Sequence, residues 1–145
     1  MATRSARTAW TGTLMEGTGE VALTSSGAGT FAVTFPKRIS DAADGTTPEE
    51  LIAAAHSSCF AMQMSGLLAK AGGTPQSLDI TADVTVEPDK ANGGLHITDI
   101  LLTVRGKAEG LSAEEFVKVA EDAKVSCPVS KALAVDMRLD AALDS

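Results

Sequence analysis

The chain has 145 residues, 44% of them hydrophobic, which is enough to bury one core and predicts a single domain over 1–145. The 12 Lys and Arg against 19 Asp and Glu give a net charge of −7, which would repel a phosphate backbone and argues against nucleic acid as a partner. No run is read as reaching the roughly 18 apolar residues of a membrane span. The start, Met1 to Trp10, carries Arg4 and Arg7 with no apolar stretch behind them, so a soluble, cytoplasmic protein without a membrane partner is expected.

Short segments at Arg7–Leu14, Glu20–Thr24 and Thr30–Phe35 are rich in Val, Thr, Phe and Trp and are broken by Gly17, Gly19, Gly27 and Gly29. They read as an antiparallel meander. From Phe35 to Thr47 no apolar period is sustained, which predicts a loop. A helix then opens with Thr47 as N-cap, Pro48 at the first position and Glu50 at the third, a capping box, and runs to about Ala71 before Gly72-Gly73. It is apolar over much of its circumference and rich in small residues, which predicts a central helix covered on several sides.

Alternating runs at Leu78–Glu87 and Leu95–Arg105 flank Pro88, Asn92, Gly93 and Gly94, and form a long hairpin. Ser112 and Glu115 make a second capping box, whose helix should end near Ser126. Pro128 suits the first position of a short helical turn with Cys127 at its N-terminus, where the dipole favours a thiolate. Val135, Met137 and Leu139 alternate as a last strand, giving an α+β chain of order β-β-β-α-β-β-α-β.

Cys59 and Cys127 lack paired CxxC spacing, which argues against a structural zinc site, and no glycine-rich phosphate loop implies an organic cofactor. The cysteines are either two inert buried thiols or a pair that cycles. The apolar neighbours of Cys59 would raise its pKa, so a reactive Cys59 needs a cation, and Arg38 in the preceding loop is the candidate; otherwise it is a solvent-exposed loop arginine. Glu49, left free when Glu50 caps the helix, could hold that arginine or merely complement the helix N-terminus. At about 1.5 Å rise per residue Glu49 and Cys59 stand roughly 15 Å apart along a straight helix, so one site containing both needs two chains. His56, one turn before Cys59, reads as a structural histidine at a helix contact rather than a base, and His96 as structural within a strand. Trp10, the methionines and the phenylalanines read as core.

The segments TPEELIAAAHSSCF (47–60) and VSCPVSKAL (125–133), with Arg38 in the preceding loop, resemble the osmotically inducible protein C and organic hydroperoxide resistance (OsmC/Ohr) family over nearly the whole chain. The arginine's place just before the helix is more similar to the OsmC branch. The resemblance implies an intertwined homodimer, with central helices packed against antiparallel sheets and two sites at the subunit interface. It implies a thiol peroxidase for organic hydroperoxides in which Cys59 attacks, Cys127 resolves and Arg38, steadied by Glu49, stabilises the thiolate. Cys59 would become a sulfenic acid, close to a disulfide with Cys127, and be reset by an external dithiol, for which the resemblance suggests a lipoyl-type protein dithiol. The apolar wall of Phe60 and the methionines would favour organic peroxides. A module binding an apolar ligand, or a redox sensor without turnover, stands as the alternative.

Overall fold

The computed structural model describes residues 1–42 and 44–145, which form two compact units, Met1–Leu51 and Ile52–Ser145. In the first unit, strands β1 (Arg7–Thr11), β2 (Thr18–Ala22) and β3 (Thr30–Val33) pair antiparallel in that order. Gly12, at φ +97°, ends β1 earlier than alternation alone suggests, because only glycine adopts that backbone cheaply. Trp10 lies opposite Gly19 across the β1–β2 ladder, and a Cβ at Gly19 would come 2.8 Å from the indole. The missing side chain therefore makes room for the ring.

The stretch expected to be all loop contains one helical turn, α1 (Phe35–Arg38). Thr34 caps it by accepting from the Lys37 amide, and Pro36 pre-sets its first turn. A single turn is too short to display a helical period, which is why the pattern reads as irregular.

Helix α2 (Pro48–Lys70) begins in the first unit and continues in the second. The Thr47 hydroxyl accepts from the Glu50 amide at 3.2 Å, and only that half of the expected box is seen among the described residues. Its far end closes where the Gly73 amide donates to Leu68 carbonyl and Gly72 takes φ +88°. Contrary to the reading of the sequence, α2 is long and apolar enough to cross a membrane by length and composition. Its residues His56, Phe60, Met64 and Leu68 are nevertheless fully buried by the chain itself, as in a core helix. The rest of its circumference is less covered than expected: Ala54, Ala55, Ser58, Met62 and Gly66 are exposed in the single chain.

The second unit is built on β4 (Thr74–Pro88) and β5 (Leu95–Glu109), an antiparallel hairpin longer at both ends than its alternating core. Strand β6 (Met137–Leu143) pairs with β5 in parallel, a direction that period-two alternation does not encode. Helix α3 (Ala113–Ser126) starts at the full Ser112/Glu115 capping box and buries Phe116, Val119, Ala120 and Ala123, the one-face spacing of an amphipathic helix. These pack with Phe60, Met64 and Leu68 of α2 and with Leu102 and Val104 of β5. Phe116 reaches Gly106 of β5, where an added Cβ would meet its ring at 3.0 Å. Helix α4 (Pro128–Ala132) follows at once, with Cys127 as its N-cap. Among the aromatic and methionine residues expected in the core, Met1, Trp10, Met15, Phe31 and Met62 are instead exposed in the single chain, and His96 is an exposed strand residue.

Candidate active site

The four residues singled out by sequence form two pairs, one in each unit. In the first, Arg38 at the end of α1 meets Glu49 in the first turn of α2. Arg38 Nε donates to both Glu49 oxygens, at 3.0 and 3.2 Å, and Nη2 donates to Oε1 at 2.6 Å. The Glu49 side chain is only 8% exposed while that of Arg38 keeps 32%, so the acid acts as a buried anchor for a partly open arginine. Nη1 makes no hydrogen bond among the described residues. Glu50, one position on, is exposed, so adjacent carboxylates take different parts.

Arg38 borders a cavity of about 370 Å³ whose other walls include Trp10, Leu14, Val21, Phe35 and Leu51. These lining residues escape sequence reasoning. An apolar residue on a short strand reads as core, and the one available sign is the glycine pair Gly17 and Gly19 crowded by the Trp10 ring.

In the second unit Cys59 of α2 and Cys127 at the head of α4 are brought together, with Sγ atoms 3.3 Å apart, and both thiols are free. Cys59 is part-exposed, whereas Cys127 is fully buried. Burial pushes the Cys59 thiol up, against a smaller opposing pull from the Val129 amide. Burial also acts to raise Cys127, but the Ser130 amide, the Cys59 thiol, the Ser130 hydroxyl and the Val129 amide together outweigh it and leave its pKa lowered. Within this unit alone, then, the negative charge is better held at Cys127 and the accessible sulfur is Cys59.

Phe60 and Met64 flank Cys59 in sequence but are fully buried, so they cannot form the accessible apolar wall expected of them. On a helix, sequence neighbours point to different sides. His56 makes the helix contact expected of a structural histidine: its Nε2 lies 2.7 Å from Ser130 Oγ, and burial lowers its pKa, keeping it neutral.

Among the described residues no group of three or more His, Cys, Asp or Glu is placed to hold a metal ion. The OsmC-like protein family profile matches residues 41–140. Peroxiredoxin OsmC of Escherichia coli is 40% identical over 136 residues, covering 94% of this chain and 93% of that protein. Organic hydroperoxide resistance protein OhrA of Bacillus subtilis is 32% identical over 99 residues, 67% of each. The crystal structure of an organic hydroperoxide resistance protein from Elizabethkingia anophelis superposes with a TM-score of 0.78 at 26% identity, covering 99% of this chain and 98% of that one. With the family profile matching residues 41–140 and a relative 40% identical over 94% of this chain, the chain belongs to the OsmC-like family.

Proposed function

We infer that the chain is a cysteine-based peroxidase, and we propose that it reduces organic hydroperoxides to alcohols through a Cys59 sulfenic acid and a Cys59–Cys127 disulfide. The observation that carries the proposal is the meeting of two free sulfurs at 3.3 Å from positions 68 residues apart, one part-exposed and one buried. An accessible sulfur can meet a peroxide, and a shielded neighbour within bonding reach can capture the product before a second peroxide does.

The Cys59 thiolate attacks one peroxide oxygen, the O–O bond breaks, and the alkoxide leaves as alcohol after taking a proton. Cys127 then attacks the sulfenic sulfur, water leaves, and the disulfide forms. An external dithiol of the lipoyl type returns both thiols by exchange. Such a cycle suits a reducing cytoplasm.

Because burial raises Cys59, the proposed cycle needs a cation, and Arg38, whose Nη1 has no hydrogen bond among the described residues, is our candidate. Arg38 and Glu49 of one copy would serve Cys59 of the other in a homodimer. The roughly 15 Å of helix between Glu49 and Cys59 supports two-chain sites, and so does the uncovered small-residue face of α2. The apolar walls beside Arg38 would take the alkyl part of the substrate.

The test is steady-state turnover with cumene hydroperoxide and dihydrolipoamide against hydrogen peroxide and the same dithiol. We expect the organic peroxide to be preferred. Thiol loss without turnover would make the chain a redox sensor, and no thiol loss at all would make it a binding module.

A further inference from the structure

Three side-chain contacts join α2 to the segment 126–130, and the sulfur pair is the middle one. Gln63 Nε2 donates to Ser126 Oγ at 2.8 Å, the Cys59 and Cys127 sulfurs meet at 3.3 Å, and His56 Nε2 lies 2.7 Å from Ser130 Oγ. His56, Cys59 and Gln63 stand at i, i+3 and i+7 on α2, which puts them on one stripe of the helix, so the contacts follow each other like the rungs of a ladder. The two polar rungs take no part in the cycle as written.

Cys127 needs holding because of where it sits. It is at once the C-cap of α3 and the N-cap of α4, its φ −58° and ψ 126° lie outside the helical region, and no side-chain hydrogen bond caps α4. A junction of this kind is where two helices can swing. Ser126 is the last residue of α3 and Ser130 lies within α4, so one rung ties each helix to α2. The direction of the α3 rung is fixed, because Ser126 Oγ–H donates to the Asp122 carbonyl at 2.7 Å and leaves its oxygen to accept from Gln63. The α4 rung is shielded: His56 is 0% and Ser130 8% exposed, where competition from water is weak. A disulfide needs about 2.05 Å between its sulfurs, so from 3.3 Å closure asks for only about 1.3 Å of approach while the rungs hold.

We propose that Gln63, Ser126, His56 and Ser130 are positioning residues for disulfide closure, two polar rungs that hold the α3–α4 junction against α2 and keep the Cys127 sulfur within reach of Cys59. The part they play in turnover rests on the peroxidase reading. There Cys127–SH and Cys59–SOH give the disulfide and one water, the S–O bond breaking as the S–S bond forms. The rungs supply the approach in advance, so closure outruns the second peroxide that would carry Cys59 to the sulfinic state.

The first experiment needs no peroxide. In glutathione buffers of graded composition, two GSH reduce the disulfide to two thiols and leave as GSSG, and intact mass gives the fraction of each form. Gln63→Leu and Ser126→Ala should each favour the dithiol by about fivefold, the worth of one hydrogen bond. The double variant should shift no further than either single one, since both remove the same rung. Ser126→Thr, which keeps the hydroxyl, should restore most of the parent equilibrium. His56→Leu should shift it at least as far as the outer variants, and should that chain fail to fold, the variants at 63 and 126 carry the comparison. A rung that merely stabilised the fold would lower the urea midpoints of both redox forms equally and leave the equilibrium where it is. That result overturns the proposal, as does a parent that forms no intramolecular disulfide at equilibrium. With peroxide, rapid quench after one equivalent should show Cys59 oxidised at the parent rate and closure slowed about fivefold in Gln63→Leu. Closure at the parent rate also contradicts the proposal. A parent that peroxide leaves reduced would sink the peroxidase reading instead, and the glutathione equilibrium would still decide the role of the rungs.

Discussion

Arg38 and Glu49 form a fork whose anchor is buried and whose cation is partly open, an arrangement that fixes a guanidinium without neutralising its outer edge. If that cation activates Cys59, Arg38→Met should lower the rate of peroxide attack at neutral pH by on the order of 100-fold. The sign of the pH dependence follows from burial, which raises the Cys59 thiol above its ordinary 9.0. Without the guanidinium the thiolate fraction is small at neutral pH, so the variant's rate should keep climbing with pH into the alkaline range where the parent has levelled off. Stopped-flow measurement across pH checks this, and superimposable profiles would contradict it. At this scale much is legible: the Cys-Pro dipeptide places Cys127 at a helical start, whereas the Glu50 side chain is exposed and its half of the cap is not seen among the described residues, so the cap does not explain why Glu49 is the buried one. The cavity walls Trp10 and Leu14 are not legible: Trp10 on β1 has the same signature whether it meets core or cavity, and Leu14, read as part of that strand, lies in the turn beyond its end at Thr11.

Two helices carry the cysteine pair, and each owes its placement to a local rule. Helix α3 is fixed by the reciprocal Ser112/Glu115 box, so it ends where Cys127 and Pro128 can begin α4. Ser112→Ala should therefore cost about 1 kcal/mol of stability, measured by urea unfolding, with little change in the reduced site. A cost near zero would show that tertiary packing alone positions the helix. The Ser112/Glu115 capping box is visible in sequence by its spacing, and the periods of α2 and α3 are visible because each helix spans several turns. Helix α1 is hidden because one turn has no period, and only Thr34 and Pro36 hint at it. The parallel pairing of β6 with β5 is hidden because alternation tells faces, not directions.

For the whole molecule, the α+β order of strands and long helices could be read from period and punctuation, whereas the two compact units could not, since no linker composition separates residues 51 and 52. The exposed face of α2 bears most directly on assembly. Gly66 sits inside a helix, where glycine costs about 1 kcal/mol relative to alanine, and an added Cβ there meets only open space within the chain. In the proposed homodimer that space is taken by a second copy. Light scattering should give twice 14.8 kDa for the parent, and Gly66→Phe should shift it toward a single chain. A parent already at 14.8 kDa would remove the shared site from the account.

The central claim is that the paired sulfurs cycle, and intact-mass analysis after one equivalent of cumene hydroperoxide tests it most directly. The parent should lose about 2 Da per chain as the disulfide closes, while Cys127→Ser should gain one oxygen, or more, confined to Cys59. An unchanged parent mass, or oxygen accumulating on the parent without closure, would contradict the account.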